Sequence, residues 1–404
     1  MNNKVIVIGG KDFQIENFFH LEVPFILIQN KEDTTEYQRS IATEIIEIDY
    51  TNISFLKETV INLVPFHNIL AIFSFTEYGL YPTAVVAEDL NLKSNCTLPA
   101  CELSRNKLMM REVTKDALYS SPVKFGKAIN KDDAMEFLHQ HSVPFIIKPN
   151  LGVGSFGVKL VNSEQDISEY LSLFSTSDSD EFICEHYISG VEYSVEAISK
   201  NGNHEIIAIT EKLIDDNFVE YGHNQPANLP EHVAKKIGDA TLELLSSIHH
   251  KHGPSHTEVK VKNNEVFIIE TQTRTGGDRI WQLTELTTGI NLYKRTITDL
   301  LNIAGYSEPE PPQFKVAISR YPILSPGKID SINTDFTPTP EIIENQFHPT
   351  PGQRVCKAQS SLQRLGFLVI GADTLVNAQS IYNEHLSLLN IRYENHEKKN
   401  ISIM

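Results

Sequence analysis

The 404-residue chain is predicted to be a mixed α/β protein that opens with a doubly wound parallel unit and continues into further subdomains. Three observations carry that prediction. Short β-branched runs recur through the first hundred residues, "KVIVIGG", "FILIQN", "EIIEID" and "ILAIFSF", with stretches of helical length between them, as in βαβ units. In the middle of the chain, strand-like runs meet instead at short turn signals, Asn201-Gly202 and Asn263-Asn264, which indicate antiparallel hairpins. The length exceeds what one core organises, so roughly two to four domains or subdomains are expected.

Bulk composition narrows the class. Hydrophobic content of 41% and charged content of 22% are those of an ordinary globular protein, which excludes disordered and fibrous classes. The net charge of -17, from 52 acidic and 35 basic residues, opposes attraction to phosphodiester backbones or anionic lipid, so neither nucleic acid nor membrane is expected as a partner. A local cationic pocket can still hold ATP or a carboxylate. Cys96, Cys101, Cys184 and Cys356 form no CxxC pair or dense framework, and reduced thiols are expected. "MNNKVIVIGG" is too short an apolar run for a signal h-region, and a cytoplasmic location is expected.

Along the chain, "SRNKLMMREVTKDA" reads as a helix with a Ser cap, and a boundary is placed near 112. "VPFIIKP", the glycine loop "NLGVGSFG", the strand "VKLV" and a helix from "NSEQDISEYLSLF" follow, and "STSDSDE" marks a hinge. "FICEHYISGVEYSVEAISKNGNHEIIAIT" reads as antiparallel strands, "EHVAKKIGDATLELLSSIHH" as a helix and "GPSHTEVKVKNNEVFIIETQ" as a hairpin. After a linker at "SEPEPPQ", "FKVAISRYPIL" and "RLGFLVIGA" are strands before a final helix. The expected units are 1–111, 112–181, 182–305 and 306–404.

Gly152, Gly154 and Gly157 satisfy G-x-G-x-x-G, but a dinucleotide fingerprint needs a helix to follow, because the pyrophosphate sits on the helix N-terminus. Here the strand-like "GVKLV" follows. A Gly/Ser loop between antiparallel strands can instead lay backbone N–H groups over phosphates as a lid, with Lys148 at the end of the preceding strand reaching phosphate oxygens. An ordinary hairpin turn beside an exposed lysine is the competing reading.

The stretch "FIIETQTRTGG" places Glu270, Gln272 and Arg274 at every second position of a strand, on one face. His256 and Glu258 alternate in the same way on the preceding strand, so a hairpin lets Glu258 and Glu270 face one pocket. Two carboxylates and an amide oxygen are hard ligands suited to Mg²⁺, and Arg274 adds a positive charge where phosphate charge needs stabilising. His249, His250, His252 and His256 crowd together, but Gly253-Pro254 breaks the helix that would align them as a zinc site.

In order and spacing, "IIKPNLGVGSFGV", "CEHYISGVEYSVE" and "HTEVKVKNNEVFIIETQTRTGG" resemble the ATP-grasp carboxylate–amine ligases, most closely the branch of L-amino-acid ligases that make dipeptides. The core of the resemblance runs from about 104 to 303. It implies a Rossmann-like α/β unit, an ATP-grasp fold of two α+β subdomains and a C-terminal α/β subdomain. It also implies that Lys107 and Lys148 contact nucleotide phosphates and that Gly154, Ser155 and Phe156 form the phosphate lid. By the same resemblance, Glu185 to Ile188, with Tyr187 between them, meet the adenine edge and Glu192 binds the ribose hydroxyls. Glu258 and Glu270 match the Mg²⁺ carboxylates, with Mn²⁺ able to substitute, and Gln272 stands where Asn is usual. Glu220 and His223, in "EYGHNQPANL", fall at the substrate end, and Arg274 matches the arginine that holds the phosphorylated carboxyl group.

The activity so implied joins two L-amino acids through an acylphosphate, with release of ADP and phosphate. The alternatives are transfer to another amine or a carrier-protein thiol, and a nucleotide-binding protein without turnover. Small-molecule substrates, ATP and amino acids, are the expected partners, and a homodimer is the default assembly. Glu77, Asp278 and Asp373 are candidate acids for a substrate amino group, which favours a cationic amino acid.

Overall fold

The structure is a computed structural model that describes residues 3–152, 157–175, 181–216, 218–304, 309–333, 339–358 and 360–394. Strands Asn3–Ile8, Phe25–Gln29, Glu44–Glu47 and Asn68–Phe73 form the expected parallel sheet, with the first strand between the second and fourth. Its apolar runs are continuous because both faces are covered. Ile6, Ile8, Ile26 and Ile28 pack on Leu56 and Val60, whereas Val5, Val7, Phe25 and Leu27 pack on Phe18 and on Tyr293 and Ile297. The last two belong to helix Leu292–Leu301, so a much later segment seals this unit.

A second sheet is antiparallel, in the order Phe125–Ala128, Phe182–His186, Phe145–Pro149 and Lys159–Val161. Helices Lys131–His141 and Glu164–Phe174 cover it through Phe137, Ile167 and Tyr170. The glycine loop therefore runs between two antiparallel strands, as its sequence context requires. Strand Phe182–His186 belongs to this sheet rather than to the strands that follow, so the sheet runs past the boundary expected at 181. Hydrogen bonding from both neighbours holds it there.

The third sheet has eight strands, all antiparallel neighbours: Glu265–Gln272, Gly253–Lys262, Val191–Lys200, Asn203–Ile214, Glu220–Gln225, Val316–Arg320, Leu368–Ala372 and Ile342–Asn345. It runs without a break across the expected boundary at 305. Helix Glu231–Ser247 covers one part, setting Ile237 and Leu244 on Val195, Val259 and Ile268. Helix Leu375–Leu388 covers another through Tyr382 and Leu386. The tight turns are built as read: Asn201 and Gly202 have φ of 52° and 78°, and Asn263 and Asn264 have 52° and 64°.

One cap differs from expectation. Ser104 lies inside helix Leu98–Arg105, and the next helix, Lys107–Thr114, is capped by Asn106, whose side chain accepts the Met109 N–H. That helix crosses the boundary expected at 112. Of the "SEPEPPQ" linker, residues 309–313 are described and form neither helix nor strand. Cys96, Cys101 and Cys184 are buried free thiols and Cys356 is exposed. No helix among the described residues is long and apolar enough to cross a membrane.

The chain passes from the second sheet to the large sheet through Gly190. Its φ is +141°, and a β-carbon there would lie 2.3 Å from the Val261 carbonyl oxygen. Gly190→Ala should therefore lower stability by about 1–3 kcal/mol, read as a lower denaturation midpoint; an unchanged midpoint would show that the crossing tolerates a side chain.

Candidate active site

The site is built on one face of the large sheet, and register explains its composition. Glu258 pairs directly with Glu270 and His256 with Gln272. On the other side of the same strand, Lys260 pairs with Glu192, Glu258 with Ser194 and His256 with Glu196. Lys212 is opposite Glu192 on one side and His223 on the other. Because side chains of one face recur every second residue, these rows deliver carboxylates, lysines and histidines to a common surface. A cleft of about 220 Å³ lies over it, walled by the second sheet through Lys148 and Glu185 and by Tyr187 just beyond that sheet.

Buried charges are matched one against another. Glu185 lies 2.5 Å from Arg111 Nε and 2.6 Å from Lys148 Nζ. Burial would push its carboxyl up, but the two cations overcome that and hold it at about 2. Lys212 Nζ touches Glu258 at 2.7 Å, Glu192 at 2.8 Å and Glu220 at 3.1 Å. Against the effect of burial, these acids raise its pKa well above the usual lysine value. Glu258 is opposed by burial in the same way, yet Lys212 and His256 hold it well below the usual carboxylate range. His256 is raised to about 9 against burial by Glu196, 2.5 Å from its Nδ1.

Lys107 is buried and donates to the Gly152 carbonyl at 2.8 Å, with Glu270 Oε2 3.9 Å away. Desolvation lowers its pKa. At the other end of the glycine loop, Tyr170 Oη donates to the Gly157 carbonyl at 2.8 Å. Glu270 Oε1 accepts from the Gln272 amide at 2.6 Å. Lys260 reaches Glu192 at 3.5 Å and sits over the rings of Tyr187 and Phe218. Arg274 donates through Nε to Glu77 of the N-terminal unit at 2.6 Å and through Nη1 to the Thr275 carbonyl.

At the far end, Asp278 gives both carboxylate oxygens to Arg364, each at 2.6 Å, with His223 Nε2 at 3.3 Å. Burial opposes its ionisation, but His223 and Arg364 hold it well below the usual carboxylate range. Ser361 Oγ donates to Glu220 Oε2 at 2.7 Å. His223 is buried, and its Nδ1 has no hydrogen-bond partner among the described residues.

Of the residues expected from sequence, Lys107, Lys148, Glu185, Tyr187, Ile188, Glu192, Glu220, His223, Glu258, Glu270, Gln272 and Arg274 all line this cleft. Gly154, Ser155 and Phe156 lie outside the described residues. The Glu185 side chain is paired with Lys148 and Arg111, and His186, Tyr187 and Ile188 line the cleft beside it. The three candidate acids for a substrate amine are placed otherwise: Glu77 holds Arg274, Asp278 holds Arg364, and Asp373 is exposed.

Sequence reading passed over Arg111, Lys212, Arg364 and Glu196. Arg111 stands four residues after Lys107, on the same helix face, which is the signal that could have found it. Lys212 alternates with Thr210 on its strand, but only the order of the sheet reveals that it meets three acids. His256 was weighed as a zinc ligand and instead pairs with Glu196.

Residues 141–282 match the family model of an ATP-grasp domain. Its relatives include amino-acid ligases. The D-alanine–D-alanine ligase of Flavobacterium johnsoniae is 27% identical over 195 residues, 46% of this chain and 59% of that protein. The alanine–anticapsin ligase of Bacillus subtilis is 26% identical over 245 residues, 54% of this chain and 51% of that protein. The chain spans about half the length of these curated relatives. An L-amino acid ligase from Bacillus licheniformis has the same fold, with a TM-score of 0.78 over 98% of this chain and 100% of that one, at 20% identity.

The Glu185 pairing has a pH signature. Its folded value of about 2 lies below the ordinary 4.5, so its contribution is complete above that value and is lost as pH falls toward 2. Glu185→Gln should cost about 3–5 kcal/mol at neutral pH, because two buried cations lose their anion. The gap from wild type should narrow between pH 4.5 and 2 in denaturation measured against pH; a gap independent of pH would discount the charge pairing.

Proposed function

We propose that the chain is an ATP-dependent ligase that joins the carboxyl group of one L-amino acid to the α-amino group of another, through an acylphosphate, releasing ADP and phosphate. One observation carries the reading: Lys107, Lys148 and Arg274 share a cleft with the directly paired carboxylates Glu258 and Glu270. Binding a nucleotide alone does not call for that combination. The relatives named as D-alanine–D-alanine and alanine–anticapsin ligases support amino acids as the substrate class.

The residues divide the work. Tyr187 and Ile188 contact the adenine edge, Glu192 the ribose hydroxyls, and Lys107 and Lys148 the phosphates. The donor carboxylate attacks the γ-phosphorus, the bond to the ADP oxygen breaks, and Arg274 stabilises charge on the transferring group. The amine then attacks the acyl carbon and phosphate leaves. The amine's proton passes to His223, which lines the cleft. Glu220 faces the α-ammonium group of a substrate.

The donor set fits a hard divalent cation. Glu258, held well below the usual carboxylate range, sits opposite Glu270, and these two carboxylates would hold Mg²⁺, with Mn²⁺ able to substitute; the Gln272 amide, whose nitrogen donates to Glu270, would add its oxygen by turning over. Bound there, Mg²⁺ would neutralise phosphate charge.

Phosphate release should require ATP, Mg²⁺ and a suitable amino-acid pair together, with a dipeptide detected by mass spectrometry. ATP turnover that ignores amino acids would sink the proposal, and a thioester or other amide would redirect it. Arg274→Ala should lower kcat by about 10²–10³, and Glu270→Ala should abolish turnover with the fold intact by circular dichroism. Wild-type rates for Glu270→Ala would remove that residue from the site.

A further inference from the structure

We infer that Glu196 and His256 form a buried positioning unit that fixes the carboxylate of Glu258 and the glycine pair after Arg274 in one geometry. The inference rests on the reading of Glu258 as a metal carboxylate. Glu196 is fully buried, and His256 is 4% exposed. A carboxylate so placed needs both oxygens satisfied. Oε1 lies 2.5 Å from His256 Nδ1, and Oε2 accepts the Gly276 N–H at 3.2 Å. The other ring nitrogen, Nε2, reaches Glu258 Oε1 at 3.4 Å. One acid therefore orients the imidazole toward Glu258 and anchors the backbone two residues beyond Arg274.

Packing leaves the unit little freedom. A β-carbon on Gly276 would lie 2.6 Å from His256 Nδ1 and 3.1 Å from Glu196 Oε1. The absent side chain is what lets the loop close on the pair. Neither residue is needed to bring the strands together, because main-chain pairing already sets His256 opposite Glu196 and Gln272. The side-chain contacts are directed instead at Glu258 and at Gly276. Partners of this kind orient ligating groups, and their loss weakens metal binding without removing a ligand.

Two substitutions separate the contacts. His256→Asn keeps a donor where Nδ1 meets Glu196 and loses the reach to Glu258; His256→Gln carries its amide nitrogen to the position of Nε2. Mn²⁺ titrated into the protein with a nonhydrolysable ATP analogue, followed by water-proton relaxation, reads metal binding without turnover. His256→Asn should weaken Mn²⁺ about tenfold with circular dichroism unchanged, and His256→Gln should recover most of the affinity. In kinetics, His256→Asn should raise the KM for Mg²⁺ more than it lowers kcat. Glu196→Gln, which keeps the shape of the acid, should weaken Mn²⁺ in the same direction.

If wild type binds Mn²⁺ and all three variants match it, this inference is overturned and the metal reading stands. Wild type without Mn²⁺ binding overturns both. Loss of the folded state in both His256→Asn and Glu196→Gln makes the pair structural and overturns the inference as well.

Discussion

The ammonium of Lys212 is the interaction on which the cleft depends. It is buried, and it touches three carboxylates to which the proposed function gives different tasks: Glu192 toward the ribose, Glu258 toward the metal and Glu220 toward the substrate. Three acids gathered on one sheet face repel one another at a distance where screening by solvent is weak. A single shared cation lets them stand together before any ligand arrives. The same logic repeats at Glu185, shared by Arg111 and Lys148, and at Glu196, shared by His256 and the Gly276 amide.

Arg274 to Asp278 is a short segment pinned from both sides. Glu77, in the first turn of a helix of the N-terminal unit, holds Arg274, and Arg364, from the C-terminal part, holds Asp278. Asp278 and Arg279 have φ of 49° and 65°, a left-handed pair without glycine that is strained unless its surroundings enforce it. Arg364 supplies that enforcement: its guanidinium grips Asp278 and sits 3.6 Å from the centre of the Tyr321 ring. The flanking units thus contribute no strand beside Glu258 or Glu270, yet they set the shape of the loop that follows Gln272.

What the sequence made legible follows from local rules. The hairpin carrying Glu258 and Glu270 could be read because alternation fixes the face and Asn263-Asn264 fixes the turn, and together these fix the register. The parallel unit was legible from its β-branched runs. The order of the large sheet was not, because Val191–Lys200 pairs with a strand more than fifty residues later, and Glu220–Gln225 with one nearly a hundred later. Lys212 and Glu196 went unread for that reason, and Arg364 because it reaches Asp278 from a distant loop. Each acquires its role only from a neighbour that no local pattern announces. Glu77 was noticed as an acid, but whether it met a substrate or Arg274 depended on how two units pack.

The pairing at the substrate end bears on how a substrate enters. Glu220 is held by Lys212 and Ser361, and Asp278 by Arg364, so neither presents an idle carboxylate to an incoming ammonium group. Entry is therefore an exchange of partners rather than the filling of a vacancy. Exchange is easiest at Glu220, where Ser361 contributes a neutral hydrogen bond, and hardest at Asp278, gripped through two charge-assisted bonds. Under the proposed function, this ordering makes Glu220 the acid that can turn toward an α-ammonium group while Asp278 keeps the loop in shape. It also withdraws the support that acidic composition lent to a cationic substrate, because the acids near the cleft are already matched by cations of the chain itself.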